Sequence, residues 1–215
     1  MNKKKSIAVA IVLLLVLVIG GMLAYFTDTD TETNVFVLGE DVKIDLIETN
    51  FDSALASSGI HPGTTVKKDP QIENESTSTD AYVFAEVIVP CYASTGSTVD
   101  TPLFTLNDAS GNALGTTVNS AGNTGWTLIS VSAIDTTAKT IKYVYAWGTS
   151  SAMTTLTATS TTTTPVFSSV TLAPTLTSAQ KSTAGTTNIV VNAYGIQTDG
   201  LSVTTPTAIF ALFTA

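Results

Sequence analysis

An unbroken apolar run, Ile7 to Ile19, follows Lys3-Lys4-Lys5 and ends in Gly20-Gly21-Met22-Leu23-Ala24. A basic segment, an apolar core and a closing small residue are the layout of an export signal. Cleavage is expected between Ala24 and Tyr25, so these first residues should leave the chain rather than join its fold. The competing reading is a retained anchor, since Ile7 to Phe26 approaches the roughly 20 residues a helix needs to cross a bilayer. The small residues at Gly20, Gly21 and Ala24 favour cleavage, because they fit a peptidase and add nothing to an anchor.

What remains, Tyr25 to Ala215, is 191 residues, enough for one well-filled domain. It carries 17 acids against six lysines and no arginine, a net charge of −11. Such a surface repels nucleic acid and anionic lipid, so neither is expected as a partner. The membrane is expected to matter only through the signal, before cleavage. Cys91 is the only cysteine, which excludes an internal disulfide. Stability must therefore come from core packing, hydrogen bonds or neighbouring subunits.

The processed chain is rich in Thr, Val, Ile and Tyr, which suit pleated, half-buried surfaces. Ala81 to Pro90 is apolar on both faces for most of its length and reads as a central strand. Trp126–Val131 and Thr140–Trp147 flank the turn residues Asp135 to Lys139 and read as a hairpin. Further strands are expected at Val35–Leu38, Val42–Leu46, Thr64–Ile72, Pro165–Leu172 and Asn188–Gln197. Phe51 to Gly59 reads as a loop or short helix, and Leu156 to Thr164 as a Thr-rich segment. Pro206 is placed to open a short terminal helix over Thr207–Phe213. Ser94 to Gly125, full of Gly, Asn, Ser and Thr, reads as an elaborated loop region. Many short strands with almost no helix predict an all-β fold, an antiparallel β-sandwich of jelly-roll type with long loops and a short C-terminal helix.

The residues that could carry chemistry are few. His61 is the only histidine and lies in a turn-like Pro62-Gly63 context. Nothing in the sequence brings it to Cys91, so no thiol–imidazole pair is expected. One His and one distant Cys cannot supply the usual three protein ligands of a catalytic zinc. Asp28, Asp30 and Glu32 recur at alternate positions, but counting from Asp28 the calcium-loop Gly and Glu positions fall on Thr33 and Gly39. Asn74-Glu75-Ser76 forms a glycosylation sequon on an expected loop tip, and Glu40-Asp41 and Glu73-Glu75 read as turn charges. No catalytic residue, metal ligand or cofactor is expected. The chain also shows no Leu-Pro-x-Thr-Gly sorting pattern, so retention at a surface is expected to come from polymerisation or partners.

Four stretches in order carry a resemblance: Gly20–Asp28 with Thr33–Gly39 and Val42–Leu46; Pro62–Pro70 with Asp80–Val87; Tyr143–Tyr145 with Thr164–Phe167; and Ala193–Leu201. Together they resemble the TasA/camelysin family of secreted biofilm-matrix and surface-filament proteins, which use a SipW-type signal peptidase. Residues 103–123 have no counterpart in that pattern, which makes a variable insertion near 94–125. The resemblance implies a jelly-roll subunit, residues 40–215, that polymerises head to tail through a donated N-terminal strand, residues 25–39. On this chain the donor residues would be Phe26, Val35, Phe36, Val37 and Leu38, and the partners other copies of the chain and the signal peptidase. Camelysin-type members also imply a zinc protease, for which the residues above offer no ligand set. A monomeric surface adhesin contacting its ligand through Ser94–Gly125 is the alternative, and pairing of the N-terminal segment within its own sheet also stays open.

Overall fold

The computed structural model describes residues 42–93, 100–159, 161–184 and 187–214. The signal, its cleavage point at Ala24–Tyr25, Glu40-Asp41 and the donor residues Phe26 and Val35 to Leu38 lie outside the described residues.

Eleven strands are described: β1 Ile44–Ile47, β2 Thr65–Lys67, β3 Gln71–Asn74, β4 Ala81–Ala93, β5 Asp100–Pro102, β6 Phe104–Asn107, β7 Trp126–Val131, β8 Thr140–Trp147, β9 Thr161–Thr162, β10 Ser169–Leu172 and β11 Val190–Gln197. Three short helices accompany them: α1 Ser53–Ser57, α2 Ser178–Lys181 and α3 Pro206–Phe210, the last prolonged by a 3-10 turn, Ala211–Phe213. Every strand pair is antiparallel. The large sheet runs β11-β4-β8-β7, with β5 also paired to β4, and two three-stranded sheets run β1-β3-β9 and β2-β10-β6. The expected all-β, sandwich-like fold with a short C-terminal helix is what the chain adopts.

Strand β4 is central, as its two-sided apolar pattern predicts, and the pleat explains both sides. Val83, Ala85, Val87, Val89 and Cys91 face the main core, with Leu128, Tyr143 and Tyr145 from β7 and β8 and Val66, Leu106 and Val170 from the small sheet. Phe84 points the other way, with Val144 and Ala146, into a second core closed by Ile209. The terminal helix is thus the lid on the outer face of the large sheet. Phe84 lies 5.3 Å from Phe210 and 5.9 Å from Phe213, ring to ring, and Tyr194 stands edge-on to Phe210 at 5.5 Å.

Pro90 marks a change of partner along β4. The β11 pairing ends at Ile88–Val190, and the β5 pairing begins at Cys91–Pro102. A residue without an N–H fits the gap between two partner strands, because no ladder bond is lost there. Its carbonyl still accepts from the Leu103 N–H at 2.7 Å.

The predicted hairpin of β7 and β8 forms, with a register shift between Leu128 and Ser130. In its turn the Asp135 carboxylate accepts from the Thr137 and Ala138 N–H groups, each at 2.8 Å, and Lys139 takes a positive φ of 54°. The Ser94–Gly125 stretch is less loop-like than its composition suggests. It contains β5 and β6, and β6 pairs with β10 through Phe104–Leu172, Thr105–Thr171, Leu106–Val170 and Asn107–Ser169. Leu103, Phe104 and Leu106 are buried, so the burial of an alternating quartet outweighs the Gly- and Asn-rich flanks. Asn74 is likewise no loop tip. It is fully buried at the end of β3, and its side-chain amide donates to the carbonyls of Thr79 and Leu156. The sequon is therefore closed to modification in the folded chain. Glu73 sits half-buried in β3 rather than in a turn.

Candidate functional site

The inner face of the β2-β10-β6 sheet is incompletely covered. Val66, Leu103, Phe104, Val170 and Leu172, all buried among their neighbours, form the floor of a groove of about 660 Å³. One wall comes from α1 and the chain on either side of it, with Phe51, Ala56 and Ile60. The other comes from α2 and the approach to β11, with Leu176, Lys181 and Ile189. Leu103 follows β5 and Ile189 precedes β11, so the groove opens where β4 changes partners.

Local sequence builds each wall. Asp52 caps α1 by accepting the Leu55 N–H at 2.8 Å. Thr177 and Gln180 form a reciprocal capping box on α2, the S/T-x-x-Q signature that would have located this helix from sequence. Gly63, at φ 83°, makes the turn into β2, and its N–H donates to the Leu172 carbonyl. The Pro62–Pro70 stretch is what frames this side. Asp69, buried, accepts both the backbone N–H and the side-chain amide of Asn50 at 2.9 and 2.7 Å. Lys68 pairs with Glu48 at 2.5 Å, and its ammonium lies 5.1 Å from the centre of the Phe51 ring.

Among the described residues, strand β11 is an edge of the large sheet, paired on one side only, to β4. Its first residue, Val190, is 45% exposed, and the strand contains no Lys or Pro to discourage a further strand. An added strand needs both side-chain burial and backbone partners; the groove floor offers the first, and the residues of β11 itself do not line the groove.

His61 and Cys91 are not brought together. His61 is exposed on the groove wall, whereas Cys91 is fully buried in the main core. Burial, with a smaller push from the Asp100 carboxylate, raises the Cys91 thiol to about 11. Burial also raises the Tyr143 and Tyr145 hydroxyls. These groups favour the protonated form more strongly in the folded than in the unfolded chain. Their stabilising effect is complete below the unfolded values and is lost as pH rises through the folded ones. Native protein at pH 8 should therefore react with a disulfide reagent about a hundredfold more slowly than urea-unfolded protein. Denaturant titrations should show stability falling by about 2 kcal/mol between pH 9 and 11 from Cys91 alone. A Cys91→Ala variant keeping the whole of that fall would refute the assignment.

What the structure presents is an all-β, sandwich-like domain with an open apolar groove. Residues 1–89 match the family model described as camelysin metallo-endopeptidase. The match covers the N-terminal part, less than half of the chain, and is consistent with the TasA/camelysin resemblance carried by the sequence motifs. No curated protein and no solved structure matches it. The family description implies a metal. Among the described residues no three His, Cys, Asp or Glu side chains gather where they could hold one, so this part of the chain offers no seat for it. Nor is any helix among the described residues long and apolar enough to cross a membrane.

Proposed function

We propose that this chain is an exported structural subunit, without catalytic activity, of an extracellular filament or matrix fibre. It assembles head to tail by donating residues 25–39 to the next copy, whose jelly roll the strand completes. Removal of the signal at Ala24–Tyr25 frees the donor.

The observation that carries this reading is the groove. Its floor is made of core residues of the β2-β10-β6 sheet rather than of surface residues, which supports reading the gap as the place of a further strand. Phe26, Val35, Phe36, Val37 and Leu38 supply apolar side chains of the kind such a gap takes. A cavity of this volume also falls in the range of small-molecule sites, which favours a monomeric binding module as the second reading.

Microscopy separates the two. Processed protein should form fibres under negative stain. Protein lacking residues 25–38 should stay folded by circular dichroism yet form none, because the acceptor remains and the donor is gone. Fibres from the truncated chain would overturn donor-strand assembly. A folded, monomeric full-length processed chain at all concentrations would favour the binding module.

A further inference from the structure

The outer edge of β11 has no strand on it among the described residues. The Thr198 N–H donates to the Asp80 carbonyl at 3.1 Å, which sets the phase of the ladder with β4. Alternate residues of an antiparallel strand bond to the same side. Val190, Asn192, Tyr194 and Ile196 therefore bond to β4, and Val191, Ala193, Gly195 and Gln197 turn their N–H and C=O groups outward. Among the described residues, none of these outward groups has a backbone partner.

The edge also lacks the usual obstacles to a further strand. Its register with β4 runs unbroken from Val190 to Gln197, so no bulge turns it away. The strand is eight residues long and holds no charged residue and no Pro. Glu86, opposite Asn192 on β4, accepts from the Asn192 amide at 3.0 Å and faces Lys142 at 3.6 Å. Asp199 lies past the end of the strand.

Symmetry narrows what such an edge takes. Suppose β11 is laid antiparallel against itself about a two-fold axis. With Tyr194 opposite Tyr194, every outward residue meets an outward residue, Val191 with Gln197 and Ala193 with Gly195, in both directions. A slip of two residues either way leaves Gln197 or Val191 without a partner in the other strand.

We infer that β11 is a two-fold interface for β11 of a second copy, in which the two large sheets join through backbone ladder bonds. The contact is a strand addition of the isologous kind. Copies of net charge −11 repel, and a strand without charge meeting its own copy adds least to that repulsion. The interface does not use the groove, so it stands apart from the filament reading. If fibres form, it joins neighbouring ones side by side.

Cross-linking of processed protein tests it. In this register Tyr194 faces its counterpart in a pair without ladder bonds, with Cα atoms about 4.5 Å apart, a separation that a disulfide spans. Tyr194→Cys should therefore give a covalent dimer under copper–phenanthroline oxidation, and the parent, whose Cys91 is buried, should give none. Asn192→Cys should cross-link about tenfold less, because its counterpart lies four residues along, about 14 Å away. Val190 and Thr198 stand opposite each other across the axis, yet about 27 Å apart within one copy. Val190→Lys with Thr198→Lys, added to Tyr194→Cys, should slow cross-linking about tenfold. Val190→Lys with Thr198→Glu should restore it. Circular dichroism checks the fold of each variant. Should Tyr194→Cys not fold, Val191→Cys with Gln197→Cys, opposed at about 5.5 Å, gives the same reading. Equal cross-linking at 194 and 192, none at either, or failure of the exchanged charge to restore it would overturn the inference. So would cross-linking that appears only after deletion of residues 25–38, since the edge then belongs to the N-terminal segment. Fibres that form without any cross-link at 194 would leave the filament reading standing and remove this interface alone.

Discussion

Fibres should disappear entirely when Val35 and Val37 are both replaced by aspartate. The two positions share one face of an extended strand, and the filament reading brings that face to an apolar floor such as Val66, Val170 and Leu172. Burying an unpaired carboxylate there costs several kcal/mol per site, and a polymer multiplies that cost at every junction. The monomer should keep its circular dichroism spectrum and its denaturant midpoint, because on the filament reading these residues serve the neighbour and not their own core. Negative-stain microscopy beside a denaturant titration reads both quantities. If the double variant unfolds, the segment belongs to its own sheet. If it polymerises as the parent does, these side chains never enter a groove.

The largest effect on the monomer should come from Phe84→Ala. Phe84 is fully buried and is the point on β4 against which the terminal helix packs, through Phe210, Phe213 and Ile209. Truncation removes the ring and leaves a cavity that the sheet cannot collapse into, at a cost of about 3–5 kcal/mol. For a domain of this size that lowers Tm by about 10 °C. Leu212→Ala, in the same terminal turn but 48% exposed, should change stability by less than about 0.5 kcal/mol. Thermal scans of the two variants give the comparison. Equal losses would show that the helix is not held through Phe84.

Much of this domain was legible because its signals are local. The nearly continuous apolar run of Ala81–Pro90 announces a strand buried on both faces, whatever covers them. Asp135 to Lys139 between two apolar runs announces the hairpin, and Pro206 announces the terminal helix. Other parts were hidden by their neighbours. Phe104–Asn107 is a core strand set in a stretch whose Gly, Asn and Ser residues read as loop. Asn74 satisfies a surface motif yet is buried, because its amide bonds to the Thr79 and Leu156 carbonyls, the latter 82 positions away.

From its order of residues alone the chain determined its all-β character, the central place of β4 and the lack of a disulfide. These follow from side-chain type and short-range spacing. Tertiary structure alone decided that Val66 of β2, Leu103 before β6, Phe104 of β6, and Val170 and Leu172 of β10 line one uncovered floor. It alone brought Lys181 to the mouth, and among the described residues no acid lines the groove. A groove is made by residues that converge from distant parts of the chain, and strand pairing across long separations, rather than local pattern, sets where they meet.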